Sequence, residues 1–459
     1  MQIVSLRGWP AHEQAVERLR ASYAAIPPGA PVRLAKKTSN LFRPRADTTT
    51  PGLDVSGLDG VIAINLAART ADVQGMCTYE DLVDAVLPHG LIPYVVPQLR
   101  TITLGGAVTG LGIESTSFRN GLPHESVLEM DVFTGAGEVV TCRPGPDGEH
   151  SDLFDTFPNS YGSLGYATRL RIALEPVPGF VALRHVRFDD AGLLAKAIGE
   201  VSESASYDGR RVDAMDGVAF EPGEYYLTLA TWQQEPGPTS DYTGANVFYR
   251  SIQERETDLL TMEDYLWRWD TDWFWCSRAF GVQNPTVRRL WPRRWRRSDV
   301  YHRLVGLDRR FGIADRLDRR AGRPLRERVI QDIEVPVERL PEFLDWFDEA
   351  VGMRPVWLCP CRAERDWPSY PLEPDRLYVN VGFWGTVHVG PEAVDAPRNR
   401  AIEAKVHELD GHKSLYSEAF YDRETFDGLY DGENLAAVKG RYDPEDRLTT
   451  LYDKAVKRR

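Results

Sequence analysis

The sequence predicts an α+β protein of two domains, on three observations. At 459 residues the chain is longer than one hydrophobic core usually serves. The first half runs strand, strand, helix, strand and then a hairpin, which is an α+β order. Pro176-Val177-Pro178-Gly179 then breaks the chain before a second set of strands and helices. We therefore expect a first domain over 1–177, a second over 178–410 with an unusual insert at 265–326, and a C-terminal segment over 411–459 that returns to the first.

Composition bounds the function. The hydrophobic fraction of 42% and charged fraction of 27% are those of an ordinary globular protein. A formal net charge of −13 argues against nucleic acid as a partner, because phosphate affinity rests on dense Lys and Arg. The five cysteines, Cys77, Cys142, Cys276, Cys359 and Cys361, are odd in number and scattered, so they read as reduced thiols rather than a disulfide framework or a zinc site. His388, His407 and His412 have no metal-like spacing and read as surface residues; no metal site is expected. The N-terminus has no apolar signal region and there is no run of about 18 apolar residues, so a cytoplasmic protein is expected.

Residues 11–26 carry apolar positions at helical spacing and stop at Pro27-Pro28-Gly29. Val32 to Phe42 reads as a short strand entering a polar turn whose Lys37, Thr38, Ser39 and Asn40 suit a diphosphate. Val61–Ile64 and Val73–Met76 read as strands, and Thr78 caps a helix over Tyr79–Leu87 with Asp81 three residues on. Residues 127–133 and 139–142 form a hairpin about Thr134-Gly135-Ala136-Gly137-Glu138.

The richest stretch is 97–121, with Gly105, Gly106, Gly110, Gly112 and Gly121 and almost no charge over 101–113. Missing Cβ atoms let backbone approach something flat or anionic. The spacing is neither the dinucleotide GxGxxG nor a P-loop. About fifty residues later, Gly162-Ser163-Leu164-Gly165 turns into a strand through Thr168, Leu170 and Ile172.

Beyond the break, Val181–Phe188, a helix over 191–204 and Tyr225–Trp232 begin a second sheet domain. Val329–Val335, a helix over 340–351, Val356–Cys359 and Leu377–Phe383 complete it. Between these halves, Tyr265, Trp267, Trp269, Trp273, Phe274, Trp275, Trp291 and Trp295 interleave with six arginines over 288–297. Tryptophan with arginine suits a membrane interface, a subunit interface or an arginine-laced surface packed on the acidic remainder of the chain.

With these segments in hand, the chain resembles the delta-24-sterol reductase branch of the vanillyl-alcohol-oxidase (PCMH-type) flavoproteins. The Thr-Leu-Gly-Gly cradle, the GxxG turn, Arg354-Pro355-Val356-Trp357-Leu358-Cys359-Pro360 and Leu415-Tyr416-Ser417-Glu418-Ala419-Phe420-Tyr421 carry the likeness. It implies a two-subdomain PCMH-type FAD-binding domain and an α+β substrate (cap) domain with an antiparallel sheet. FAD would be non-covalent, since the first loop lacks the tethering His or Cys, and NADPH would be the reductant. The implied cofactor contacts are Lys37, Thr38, Ser39, Asn40, Thr103, Leu104, Gly105, Gly106, Gly110, Gly112, Ile113, Glu114, Ser115, Ser117, Gly121, Gly162, Ser163, Gly165 and Ile172.

Lysine is scarce beside arginine, which points to a GC-rich bacterial source. Bacterial relatives of this branch reduce a 10-methylene-fatty-acyl chain to the 10-methyl product, and that is the expected activity. Delta-24-sterol reduction, oxidation of an alcohol or hydroxy acid, and a non-catalytic lipid-holding partner of a methyltransferase are the competing readings. An isolated alkene needs a proton donor before it takes hydride. The candidates are Tyr416 with Glu418 behind it, on one face of a strand with Phe420, and Glu114. A lipid substrate, a methyltransferase and peripheral contact with the inner face of the membrane are the expected partners.

Overall fold

The computed structural model describes residues 3–36, 42–43, 51–311, 326–390 and 395–457. Seven strands make the first sheet: β1 (Ile3–Ser5), β2 (Val61–Asn65), β3 (Thr70–Gln74), β4 (Leu91–Pro93), β5 (Val127–Phe133), β6 (Val139–Cys142) and β7 (Tyr166–Pro176). Their order is β1-β2-β3-β7-β5-β6, with β4 also on β7, and every pairing is antiparallel. The long β7 is the hub, since it alternates Leu170 and Ile172 into the core and bonds β3, β4 and β5 at once.

The second sheet begins after Gly179. Its strands are β8 (Phe180–Phe188), β11 (Ala214–Glu221), β12 (Glu224–Gln233), β13 (Thr257–Thr261), β14 (Arg326–Pro336), β15 (Val356–Cys361), β16 (Tyr378–His388) and β17 (His412–Lys413), in the order β13-β8-β12-β11-β15-β16-β14-β17, while β9 (Ser206–Tyr207) and β10 (Arg210–Arg211) form a separate hairpin. The fold is thus mixed α+β, as expected. The 8-stranded sheet is antiparallel, as the resemblance implied for the second domain.

Alternation gives that sheet two different faces. Val329, Ile333 and Val335 of β14, with Val379, Val381 and Phe383 of β16, pack with the helices Ala191–Ser204, Leu340–Ala350 and Pro397–Glu408. The opposite positions, Ile330, Asp332 and Glu334 of β14, Trp357 of β15, and Asn380 and Trp384 of β16, turn toward the first domain. Polar residues thus sit on the inner face of a central strand, where only partners within the protein can satisfy them.

The Trp/Arg segment is chiefly core rather than surface. Trp267, Trp269, Trp273, Phe274 and Trp275 are all buried, stacked between the two domains. Arg268 is buried with them and bridges the domains: its Nη2 donates to Glu114 Oε1 at 2.8 Å and Asp216 Oδ2 at 3.1 Å. The indoles of Trp269 and Trp357 also donate to Asp216, at 2.7 and 3.1 Å, and Arg268 lies 4.0 Å over the Tyr265 ring. Among the described residues no helix is long and apolar enough to cross a membrane.

One glycine joins the first sheet to its glycine-rich helix. Gly75 donates from N to Thr168 O at 3.1 Å and accepts at O from Gly105 N at 3.0 Å, and a Cβ on it would run into the carbonyl oxygen of Ala167. Gly75→Ala should therefore cost about 1–3 kcal/mol through overpacking. Gly199→Ala, in a helix where a new Cβ meets nothing within 4 Å, should instead gain about 0.5–1 kcal/mol. Urea unfolding midpoints of the two variants against the parent check both signs.

Candidate active site

The glycine-rich stretch folds into a short helix, Leu104–Thr109, laid on the end of β3. Thr103 caps it, its Oγ1 accepting from Gly106 N at 3.2 Å and from Lys36 Nζ at 3.1 Å. Leu104 N is spent on Cys77 O at 2.9 Å and Gly105 N on Gly75 O. These glycines supply bare surface and close packing; their amides already have partners. A Cβ at Gly105 would come within 2.6 Å of Gly75 O.

Above this floor lies a cleft of about 830 Å³ between the two domains. Of the residues singled out in the sequence, Thr103, Gly105, Gly106, Gly112, Ile113, Gly162 and Tyr416 line it. Lys37, Thr38, Ser39 and Asn40 lie outside the described residues, but the segment before them, Pro31–Leu34 with Lys36, forms one wall. The C-terminal stretch 446–450, with Asp453 and Lys454, forms the adjoining wall, tied to the first by Val32 N donating to Arg447 O at 2.8 Å.

The other expected contacts do not reach the cleft. Leu104 and Ile172 point into the core. Gly110 backs onto the Tyr161 ring, Gly165 (φ +135°) onto Phe133 O, and Gly121 (φ +67°) closes the helix Ser117–Asn120. Ser117 Oγ accepts from Glu114 N at 3.1 Å, Ser115 Oγ lies 2.7 Å from Tyr265 Oη, and Ser163 is buried away from the lining. Glu114 is the anion of the Arg268 bridge rather than an acid at the cleft; burial and Asp216 push its carboxyl up while Arg268 opposes them.

Two further expectations need correction. Residues 415–421 are not a strand but an irregular turn after β17. Tyr416 faces the cleft from that turn because Phe42 N donates to Tyr416 O at 3.0 Å and Arg43 Nη1 to Leu415 O at 2.6 Å. Glu418 does not line the cleft, and its carbonyl accepts from Lys413 Nζ at 2.7 Å. His412 is buried against Tyr370 at 4.7 Å rather than on the surface, and burial pulls it down to about 3.

The acid that the sequence reading missed is Asp332. Its carboxylate lines the cleft, accepting from Asn380 Nδ2 at 3.0 Å and lying within hydrogen-bonding reach of the Tyr416 hydroxyl. Tyr416 Oη in turn accepts from Trp384 Nε1 at 2.9 Å. Burial pushes Asp332 up to about 6, with the Asn380 and Tyr416 hydrogen bonds opposing, and it raises the Tyr416 phenol as well. Gly382 sits opposite Asp332 in register, and a Cβ there would strike both the carboxylate and the Trp384 ring. Glu334, two residues on and behind Asp332, accepts from Ser414 Oγ at 3.1 Å and is pushed up to about 8, by burial first and then by Asp332. The only hint in the sequence was two acids at alternate positions between Ile330, Ile333 and Val335.

Around these acids the cleft wall is aromatic. Trp273, Phe274, Trp357 and Trp384 line it, with Phe274 stacked 4.3 Å from Trp384. The walls near Thr103 instead carry Arg33, Lys36, Arg447 and Lys454. A flavin dinucleotide asks for a floor without side chains, cations for its diphosphate and flat apolar walls for its rings. The residues present meet all three demands.

Residues 9–143 match the family model described as FAD binding domain. The first unit is an FAD-binding domain of the PCMH type. The chain is also similar to the delta(24)-sterol reductase of Arabidopsis thaliana, 24% identical over 89% of this chain and 77% of that protein. The human enzyme of that name is likewise 24% identical, over 86% and 76%. Cytokinin dehydrogenase 2 of Oryza sativa subsp. japonica is 32% identical but over only 39% of this chain and 31% of its own. An FAD-dependent oxidoreductase is the common ground. The matches to the sterol reductases, at 89% and 86% of this chain, run through both sheets.

The buried carboxyl of Glu334 has a signature in stability. Its folded-state value, about 8, lies above the ordinary value of about 4.5, so its favourable protonated state is complete below about 4.5 and is lost as pH rises through about 8. Glu334→Gln should melt close to the parent at pH 4.5 and progressively above it up to about pH 8, with a constant gap beyond. A melting series of both proteins across that range measures the gap.

Proposed function

We propose that this chain is an FAD-dependent, NADPH-driven reductase of an isolated carbon–carbon double bond on a lipid. A 10-methylene-fatty-acyl chain is the first candidate substrate and a delta-24 sterol the second. The observation that carries the reading is a cleft acid poised near neutral pH, Asp332, set in an aromatic wall beside a glycine floor. Alcohol oxidation would draw on the ionised form of Asp332 and alkene reduction on its protonated form. An alkene without a conjugated carbonyl calls for an acid, because hydride alone would leave an unstabilised carbanion.

FAD, when bound, supplies hydride transfer to carbon. The chain's own residues supply the rest. Gly105, Gly106 and Gly112 admit the group, and Arg33, Lys36, Arg447 and Lys454 oppose its negative charge. Asp332 holds a proton on its carboxyl and delivers it to the less substituted alkene carbon, and Tyr416 and Asn380 fix the direction of that carboxyl. The carbon left electron-poor is the one that receives hydride, so one proton and one hydride together saturate the bond. Trp273, Phe274, Trp357 and Trp384 keep water out and turn ring faces toward the developing positive charge. Peripheral seating at a membrane and a methyltransferase supplying the methylene substrate fit the same chemistry.

The test is anaerobic. FAD-loaded protein should bleach with NADPH and regain colour when 10-methylene-stearoyl phospholipid is added, with the methyl-branched chain as product. Recovery with a delta-24 sterol alone makes the sterol the substrate, and no bleaching with NADPH defeats the reductase reading. The recovery rate should be flat below about pH 6, where Asp332 is protonated, and fall about tenfold per unit above it. Asp332→Asn should lower it about 10²–10⁴-fold and erase that pH dependence, whereas Tyr416→Phe should keep the profile and lose less.

A further inference from the structure

The arginine-rich stretch carries a second surface once its buried members are set aside. Between Trp273 and Ser298 there are seven arginines and no Asp or Glu, in a chain whose net charge is −13. Arg288 and Arg296 are buried. Arg288 donates to both Asp272 oxygens, at 2.8 and 3.0 Å, and Arg296 donates to the carbonyls of Gly244, Arg288 and Trp291. These bonds hold the helix Pro285–Leu290 and the turn Arg293–Trp295 as one braced platform.

What the platform shows to solvent is unusual for this molecule. Leu290 is 80% exposed, Trp295 48% and Val287 38%, so three large apolar side chains lie bare within nine residues of sequence. Arg289, Arg293 and Arg294 are exposed among them. Exposed leucine and tryptophan ringed by arginine is the composition of a surface that sits in lipid headgroups, the rings at the interface and the guanidiniums on phosphate.

We propose that this platform docks the protein on an anionic lipid bilayer. Val287, Leu290 and Trp295 enter the interface while Arg289, Arg293 and Arg294 meet lipid phosphates, and the acidic remainder is repelled. The surface therefore sets orientation as well as affinity. Trp273 and Phe274 of the cleft wall belong to the same stretch of chain, which links the docked face to the cleft.

Co-sedimentation of the full FAD-loaded chain with vesicles of phosphatidylcholine and phosphatidylglycerol in equal proportion tests this. Binding should exceed that to pure phosphatidylcholine and fall as salt is raised. Arg293→Ala/Arg294→Ala should weaken it about fivefold per arginine removed, and Leu290→Asp/Trp295→Ala by about tenfold or more, with FAD absorbance and melting temperature unchanged. Brominated lipid should quench tryptophan emission in the parent more than in Trp295→Phe. Equal binding to neutral vesicles, or full binding by Leu290→Asp/Trp295→Ala, overturns the proposal. So does a platform-dependent dimer in the absence of lipid, which would make this face a protein interface. Vesicle binding and lipid reduction are separable readouts, so either can fail alone.

Discussion

One buried guanidinium holds the two domains in register. Arg268 reaches Glu114 at the end of the glycine-rich stretch and Asp216 on the second sheet, and all three are sealed from water. Two carboxylates on one guanidinium leave an excess negative charge in a dry place, and the indoles of Trp269 and Trp357 offset part of it. Removing one member of such a set strands the others, typically at about 3–5 kcal/mol. The bridge therefore fixes where the second sheet stands over the glycine floor. Its place explains why Glu114 looks catalytic in sequence and serves instead to position.

From that register follows the chemistry of the cleft. Alternation divides β14 cleanly, with Val329, Ile333 and Val335 turned to the helices and Asp332 and Glu334 turned inward. Burial is the dominant influence on both acids, and it pushes them toward the protonated form a general acid needs. Gly382 across from Asp332 leaves room for its carboxylate, and Asn380 and Tyr416 aim it. The aromatic residues that seal the cleft are the same ones that read from the sequence as a membrane-facing belt.

How much of this was legible depended on range. Local signals were read well: the helix Ala191–Ser204, the Thr78 cap accepting from Asp81 N, and the hairpin of β5 and β6 all rest on contacts within a few residues. The glycine stretch was legible as a place of close approach, although its amides proved to be spent on Gly75 and Cys77. What failed was long-range. Tyr416 was singled out from its own stretch, but its neighbour Asp332 stands 84 residues earlier in the numbering, and the packing of β17 on β14 brings them together. The Trp/Arg segment divided for a related reason, since Trp267, Trp269, Trp273 and Trp275 turned inward while Trp295 stayed exposed, and composition at one stretch is the same whether its rings meet lipid or protein.

Two adjoining walls of the cleft come from residues far apart in sequence, 31–36 and 446–454. Val32 is bonded to Arg447, and Lys454 Nζ donates to Tyr161 O at 3.0 Å. During synthesis the glycine floor and the first sheet emerge early, yet the wall beside Pro31–Leu34 is missing until residues near 454 have left the ribosome. The cleft is thus completed only after both sheets exist. A chain cut short after its second sheet would leave the cleft open on the side that residues 446–454 wall.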